Sequence, residues 1–265
     1  MPEHANGGGA PDYVGVGALG SGGNWWHGLL LAHPEIGAPK GARGGSLGFF
    51  ERFCSRAMTE ADIADYHRSF PPRPGTIAGE WSGRYMFDGW TPPLLARAAP
   101  DAKLLVMLSD PIERYRVVFT QRRAVLQEGE RLFMTDIVDR RCFGAQIARL
   151  QRYFPPERML VLQFERVFRD PRGEYRRTLE FLGARDTRFV PRRLRTLAAS
   201  RILGRVAPRR LAERVTGHPV SERWLAKLWP EHEAALHDSL DPDVASLQRL
   251  VPDLDIGLWR NFAHR

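Results

Sequence analysis

The chain has 265 residues, 43% of them apolar, and a formal net charge of +8, which is material for one large or two small domains with a sizeable core. Lys40, Lys103 and Lys227 are the lysines among its 39 basic residues, the rest being arginine. This bias reads as genomic base composition rather than as a nucleic-acid surface, for which no signature motif is present. Cys54 and Cys142 stand outside any C-x-x-C pair and no apolar run approaches the length of a membrane span, so a disulfide framework, a cysteine zinc site and a spanning helix are not expected. Two reduced thiols and no apolar leader-like segment make a cytoplasmic protein the expectation.

Residues 1–12 are polar and Gly-rich and read as a disordered tail, leaving 13–265 as one domain. An apolar strand, Tyr13 to Val16, runs into the glycine-rich turn Gly17-Ala18-Leu19-Gly20-Ser21-Gly22-Gly23-Asn24. A helix follows through Trp25, Leu29 and Leu30 to His33-Pro34. Strand, loop and helix N-terminus together offer free N–H groups and a positive dipole end, which suit an anion. Yet the loop holds no Lys, Arg or Thr. Gly and Pro then crowd 34–48, which reads as a loop. A short helix is expected over Ala61 to Tyr66, and a short strand over Thr76 to Gly79 delivers Glu80 at its end.

Lys103 to Leu108 is apolar throughout, as central parallel strands are. It ends in Ser109-Asp110-Pro111, and a helix is predicted from Ile112 to about Leu126. In a second helix, Thr135 to Phe154, the residues Phe143, Ile147, Leu150 and Phe154 fall on one stripe. Met159 to Leu162 is a further buried strand, and Tyr175, Leu179 and Leu182 mark a helix closed by Gly183. Arg188 to Arg214 carries nine arginines against one acid, Glu213. It reads either as a solvated helical face or as a mobile basic lid, spanning 188–220, over an anionic ligand. The tail from Ser221 to Arg265 is expected to be helical and to pack through Trp224, Leu228, Trp229 and Trp259.

Alternating strands and helices with short connections predict an α/β fold, a parallel sheet flanked by helices. Ligands in such folds sit at the carboxyl ends of strands. The loop at 17–24, Glu80, and Ser109-Asp110 fall there. Gly15-Val16-Gly17-Ala18-Leu19-Gly20 also satisfies the G-x-G-x-x-G dinucleotide pattern, but the helix expected here begins only after Gly23, past the motif.

Several segments, taken in order, resemble the sulfotransferase family and in particular its bacterial and heparan-type branch. They are Leu29 to Ile36 around His33-Pro34; Gly79-Glu80-Trp81-Ser82-Gly83-Arg84-Tyr85; Pro100-Asp101-Ala102-Lys103 through Ser109-Asp110-Pro111-Ile112-Glu113-Arg114; Phe154 to Leu162; Phe164-Glu165; and Phe181-Leu182-Gly183. The likeness covers about 13–185. It implies a P-loop-like fold that transfers a sulfuryl group from PAPS to a hydroxyl or amine, with Gly20, Ser21, Gly22, Gly23, Asn24, Ser109 and Arg114 at the cofactor positions. The family's loop lysine falls on Gly20 and its threonine pair on Gly23-Asn24. The arginine and serine that hold its 3′-phosphate fall on Ser109 and Val117, and its downstream clamp on Arg214-Val215-Thr216.

A charge-assisted hydrogen bond contributes roughly 1.5–3 kcal/mol, and micromolar binding amounts to only about 8 kcal/mol. Losing four such contacts therefore argues against ordinary use of PAPS. The first expectation is accordingly an enzyme with no PAPS cofactor that performs acid/base chemistry, such as a cyclisation or elimination, on a small molecule in a bacterial secondary-metabolite pathway. Glu80, where the resemblance places a carboxylate base, would carry it, with His27 or Tyr85 assisting. Against these roles, Glu80 could form a structural pair with Arg84 or Arg114, and His27 reads as a packed helix residue. The second expectation is a PAPS-dependent sulfotransferase whose donor site is rebuilt from arginines of 188–214. The third is a non-catalytic protein that binds a small molecule or a partner. The sequence leaves the oligomeric state open, a homo-oligomer included.

Overall fold

The computed structural model describes residues 9–42, 45–71, 74–122, 142–194 and 230–263. Five parallel strands form one sheet in the order β2-β3-β1-β4-β5. They are β1 (Tyr13–Gly17), β2 (Ile36–Gly37), β3 (Ile77–Trp81), β4 (Lys103–Leu108) and β5 (Met159–Gln163). The helices are α1 (Gly23–Leu30), α2 (Glu60–Arg68), α3 (Thr91–Ala98), α4 (Pro111–Arg122), α5 (Phe143–Gln151), α6 (Phe164–Arg169), α7 (Pro171–Leu182) and α8 (Pro230–Leu250). The expected α/β architecture is what forms.

Alternation along β4 divides the core. Leu104, Val106 and Leu108 face a layer that includes Val14, Val16, Tyr85, Ile147, Leu150 and Leu240. Leu105 and Met107 face the opposite layer with Tyr13, Trp26, Leu29, Tyr175 and Leu179. The stripe Phe143, Ile147, Leu150 and Phe154 is buried, as its spacing predicts, and Trp259 is buried in the first layer.

Three expectations are corrected. The glycine- and proline-rich stretch at 34–48 contains the two-residue strand β2, which pairs with Ile77 and Ala78 on the sheet edge. The strand expected to stop before Glu80 runs through it to Trp81. The end of the expected tail is already tied down: the Asp12 amide donates to the Ala78 carbonyl at 2.7 Å, and its carbonyl accepts from the Lys103 amide at 2.9 Å. Residues 1–8 of the tail, the first part of the helix expected from Thr135, most of the arginine-rich stretch, and Trp224, Leu228 and Trp229 lie outside the described residues.

Since β1 connects outward to one side of the sheet and β4 lies on its other side, the topological switch point falls between β1 and β4. The crevice at their carboxyl ends is where such sheets take ligands. The path of the backbone there is set by one side chain. The Trp81 indole, 1% exposed, lies flat against both Gly15 and Gly23, and a Cβ at either position would collide with its ring. Gly15→Ala should therefore lower stability by about 1–3 kcal/mol through overpacking. Combined with Trp81→Leu it should cost less than the two changes summed, as a double-mutant cycle in denaturant would show.

Candidate functional site

At the end of β1 the chain turns through Ala18 to Gly22 and enters α1, whose N-cap Gly22 makes no side-chain cap (φ 89°). The N–H groups of Gly22, Gly23, Asn24 and Trp25 find no acceptor among the described residues. These are the orphan donors of a helix start. Ser21 is buried at the base of the turn and accepts a 3.0 Å hydrogen bond from the Ser109 hydroxyl at the end of β4. That bond closes the crevice floor and leaves the Ser21 hydroxyl hydrogen unassigned to any acceptor.

Arg114 enters from the first turn of α4. Its guanidinium occupies the space that a side chain at Gly20 would fill. It makes no hydrogen bond or ion pair among the described residues, and its Nε is buried without a partner. Burial alone pushes its pKa down to about 10, so it stays charged at neutral pH. The turn that aims it is firmly held. Asp110 Oδ1 accepts from the amides of Ile112 (2.9 Å) and Glu113 (3.1 Å), capping α4. Asp110 Oδ2 accepts from the Asn261 amide (3.0 Å) and its Nδ2 (2.8 Å).

Of the residues expected to carry donor binding, the structure thus gathers Gly20, Ser21, Gly22, Gly23, Asn24, Ser109 and Arg114 at one crevice. Gly23, where the resemblance places a threonine, is closed to any side chain by Trp81, and beside Gly20, where it places a lysine, lies the end of Arg114. Asn261 was not legible as part of this region. Nothing local in the sequence links it to Asp110.

The acid/base candidates sit elsewhere. Glu80, Tyr85 and His27 each have 0% exposure. Glu80 Oε1 accepts from the Tyr66 hydroxyl at 2.9 Å and the Tyr85 hydroxyl at 3.2 Å. Its Oε2 accepts from the Ser82 hydroxyl at 2.8 Å and the Leu47 amide at 3.0 Å. Burial raises its pKa while these donors hold it back. Neither Arg84 nor Arg114 pairs with it; Arg84 instead lies 3.4 Å from Asp88. The network fastens the 46–49 segment to the sheet, since the Gly48 amide donates to Ser82 Oγ (3.1 Å) and the Phe49 amide to the Tyr85 hydroxyl (2.7 Å). Glu80 and Tyr85 therefore meet, but His27 turns to the Tyr13 hydroxyl at 2.8 Å. Burial pushes the His27 imidazole down to about 4, so it is neutral, and its Nδ1 lacks a partner. Glu35 and His33 hold the 185–186 segment, through the Arg185 and Asp186 amides and the Asp186 carbonyl respectively.

Residues 89–188 match the model of the sulfotransferase family. The mouse heparan sulfate glucosamine 3-O-sulfotransferase 3B1 is 28% identical over 171 residues, which cover 58% of this chain and 41% of that protein. The human 3A1 enzyme is 27% identical over the same length. The chain thus spans about two fifths of the length of these curated relatives. Among solved structures, a sulfotransferase from Alicyclobacillus acidocaldarius superimposes with a TM-score of 0.64 at 24% identity, covering 94% of this chain and 98% of that one. The sulfotransferase domain from the curacin biosynthetic pathway gives 0.55 at 13% identity over 90% and 98%. That of the Synechococcus PCC 7002 olefin synthase gives 0.54 at 16% over 94% and 97%.

Glu80→Gln keeps the shape but turns an amide N–H₂ toward hydroxyl or amide donors, so we expect a loss of about 1–3 kcal/mol in stability. The sign with pH is set by the raised carboxyl. The folded state favours its protonated form, so this contribution is present below its ordinary value of 4.5 and is lost as pH rises through the folded value. The deficit of the Gln variant against the wild type should therefore narrow as denaturation is repeated from pH 4 towards neutrality.

Proposed function

For a chain with the sulfotransferase fold, shown by its family match and by its neighbours, we propose an enzyme that acts on a small molecule and takes a phosphate-bearing sulfuryl donor of the PAPS type at the β1–β4 crevice. The observation that supports this reading is the set of four N–H groups without an acceptor among the described residues at the start of α1, with the buried Ser21 hydroxyl, which accepts from Ser109, in the same turn. The biosynthetic setting is supported by the two neighbours that come from a natural-product pathway and an olefin synthase.

The residues present fit one phosphate or sulfate group well. N–H donors of Gly22 to Trp25 would hold its oxygens, and Ser21 would orient it from below. PAPS, when bound, supplies the sulfuryl group and departs as PAP. For a second phosphate, the resemblance implies an arginine where this chain has Ser109, whose hydroxyl hydrogen is donated to Ser21, so the fit is weaker there. Acid/base chemistry without PAPS, centred on Glu80, finds less support in this geometry. A carboxylate with no exposed surface and four donors has no open face for a substrate.

Calorimetric titration with PAP is the test. We expect a dissociation constant on the order of micromolar, equivalent to about 8 kcal/mol. Absence of heat at millimolar PAP would overturn the donor reading and return attention to chemistry that needs no sulfuryl donor.

A further inference from the structure

The loop at 17–24 has no cation of its own, and no lysine or arginine lies between Asp12 and Pro39. From the packing we infer that Arg114 supplies it: a guanidinium delivered by the neighbouring helix α4 into the place of a loop side chain, to bind a phosphate- or sulfate-type anion seated on Ser21 and the N-terminus of α1. This inference rests on the donor-site reading for the identity of the full ligand, though not for the anion seat itself.

Three observations carry it. The first is position. Arg114 reaches across the switch point from β4's side to β1's, and its guanidinium lies over Gly20, next to the residue whose hydroxyl floors the crevice. A lysine running from position 20 would have to start in the space that Arg114 now fills. The second is the lack of a counter-charge. The carboxylates around α4's first turn are committed elsewhere: Asp110 to Ile112, Glu113 and Asn261; Glu165 to the Asp110 amide and the Trp259 indole; Glu113 to Arg116. Arg114 is half-buried, and its Nε is sealed from solvent without an acceptor among the described residues, an arrangement that is disfavoured unless a ligand compensates it. The third is donor geometry. A guanidinium presents a planar fork suited to two oxygens of a tetrahedral anion. Here Nη2 is the guanidinium nitrogen nearest Gly20, and Nε, the next nearest, is buried without an acceptor.

A structural arginine and an anion-binding one respond in opposite ways to removal. Replacing a desolvated, unpaired charge by an apolar side chain of similar length relieves its burial, whereas removing a packing or bridging arginine loosens the fold. The experiment compares the wild type with Arg114→Met and Arg114→Lys, each melted alone, with millimolar sodium sulfate and with PAP, and each titrated with PAP by calorimetry. We expect Arg114→Met to melt as high as the wild type or up to about 2–4 °C higher without ligand. It should lose the sulfate-induced rise in melting temperature and bind PAP at least tenfold more weakly, and Arg114→Lys should recover part of both.

A Met variant that keeps the full sulfate shift and PAP affinity overturns the assignment. So does one that melts lower without ligand while keeping the sulfate shift, because that marks a purely structural arginine. If the wild type ignores PAP but shows a sulfate shift that the Met variant lacks, the donor reading falls and the Arg114 anion seat stands. If the wild type responds to neither ligand, both fall.

Discussion

The arrangement of this molecule depends on the contact between the Trp81 indole and the backbone of the first strand and loop. By filling the faces of Gly15 and Gly23, the ring fixes how closely β3 approaches β1 and where α1 begins. It also decides what the loop can carry. A threonine at 23 is sterically closed, whereas at Gly20 the left-handed backbone (φ 78°) favours glycine and the mobile end of Arg114 occupies the adjacent space. The glycine richness that reads as a phosphate motif is thus, at 15 and 23, a packing demand imposed by one large side chain. Loop and packing partners have to be considered as one unit, because neither can change alone without a collision or a cavity.

Two carboxylates, the buried Glu80 and the half-buried Glu165, act as anchors. Glu80 gathers two tyrosine hydroxyls, a serine hydroxyl and a backbone amide, and so pins the 46–49 segment to the sheet. Glu165 accepts from the Asp110 amide at 2.9 Å and the Trp259 indole at 3.0 Å, and burial pushes it up to about 7. Polar networks of this kind specify one arrangement when every member is satisfied. Their cost falls on the groups left out. Among the described residues these include His27 Nδ1 and Arg114 Nε, and of the two only Arg114 borders the crevice.

Much of this was legible in the sequence, for identifiable reasons. Lys103 to Leu108 is a strand because Leu104 to Leu108 is apolar on both faces, and 143–151 is a helix because its stripe has the helical period, Phe154 lying past its end. Gly183 ends α7 in the left-handed conformation (φ 87°) that favours glycine. β2 escaped because two residues carry no period, and its pairing with β3 is a tertiary fact. α3 has no counterpart among the expected elements, although proline at the first positions of a helix costs no hydrogen bond and Pro92 and Pro93 open this one. The position of Glu80 at a strand end was visible. That four donors would close over it was not, because Leu47, Tyr66 and Tyr85 come from three separate segments. Replacement cations were sought among the nine arginines of 188–214, which are conspicuous by number. Arg114, which the resemblance already puts at a cofactor position, lies five residues past Ser109; that it reaches Gly20 was not legible, because the parallel pairing of β1 with β4 brings the two ends together.

Moving the cation from the loop to α4 changes what the anion seat depends on. A lysine in the loop would be positioned by the β1–α1 turn alone. Arg114 is positioned by the first turn of α4, which Asp110 caps, and Asp110 is itself shared with the amide and side chain of Asn261. Asn261 lies in the C-terminal segment held through Trp259 on Glu165 and through Asp255 on Gln163. The charge at the crevice is therefore mechanically linked to the last described residues of the chain, by hydrogen bonds that each contribute only about 1 kcal/mol but act in series on a single turn. Guanidinium geometry makes the linkage consequential, since a planar fork tolerates less misplacement than a flexible ammonium. The C-terminal segment, which touches no residue of the glycine loop in this network, thereby belongs to the construction of the anion seat.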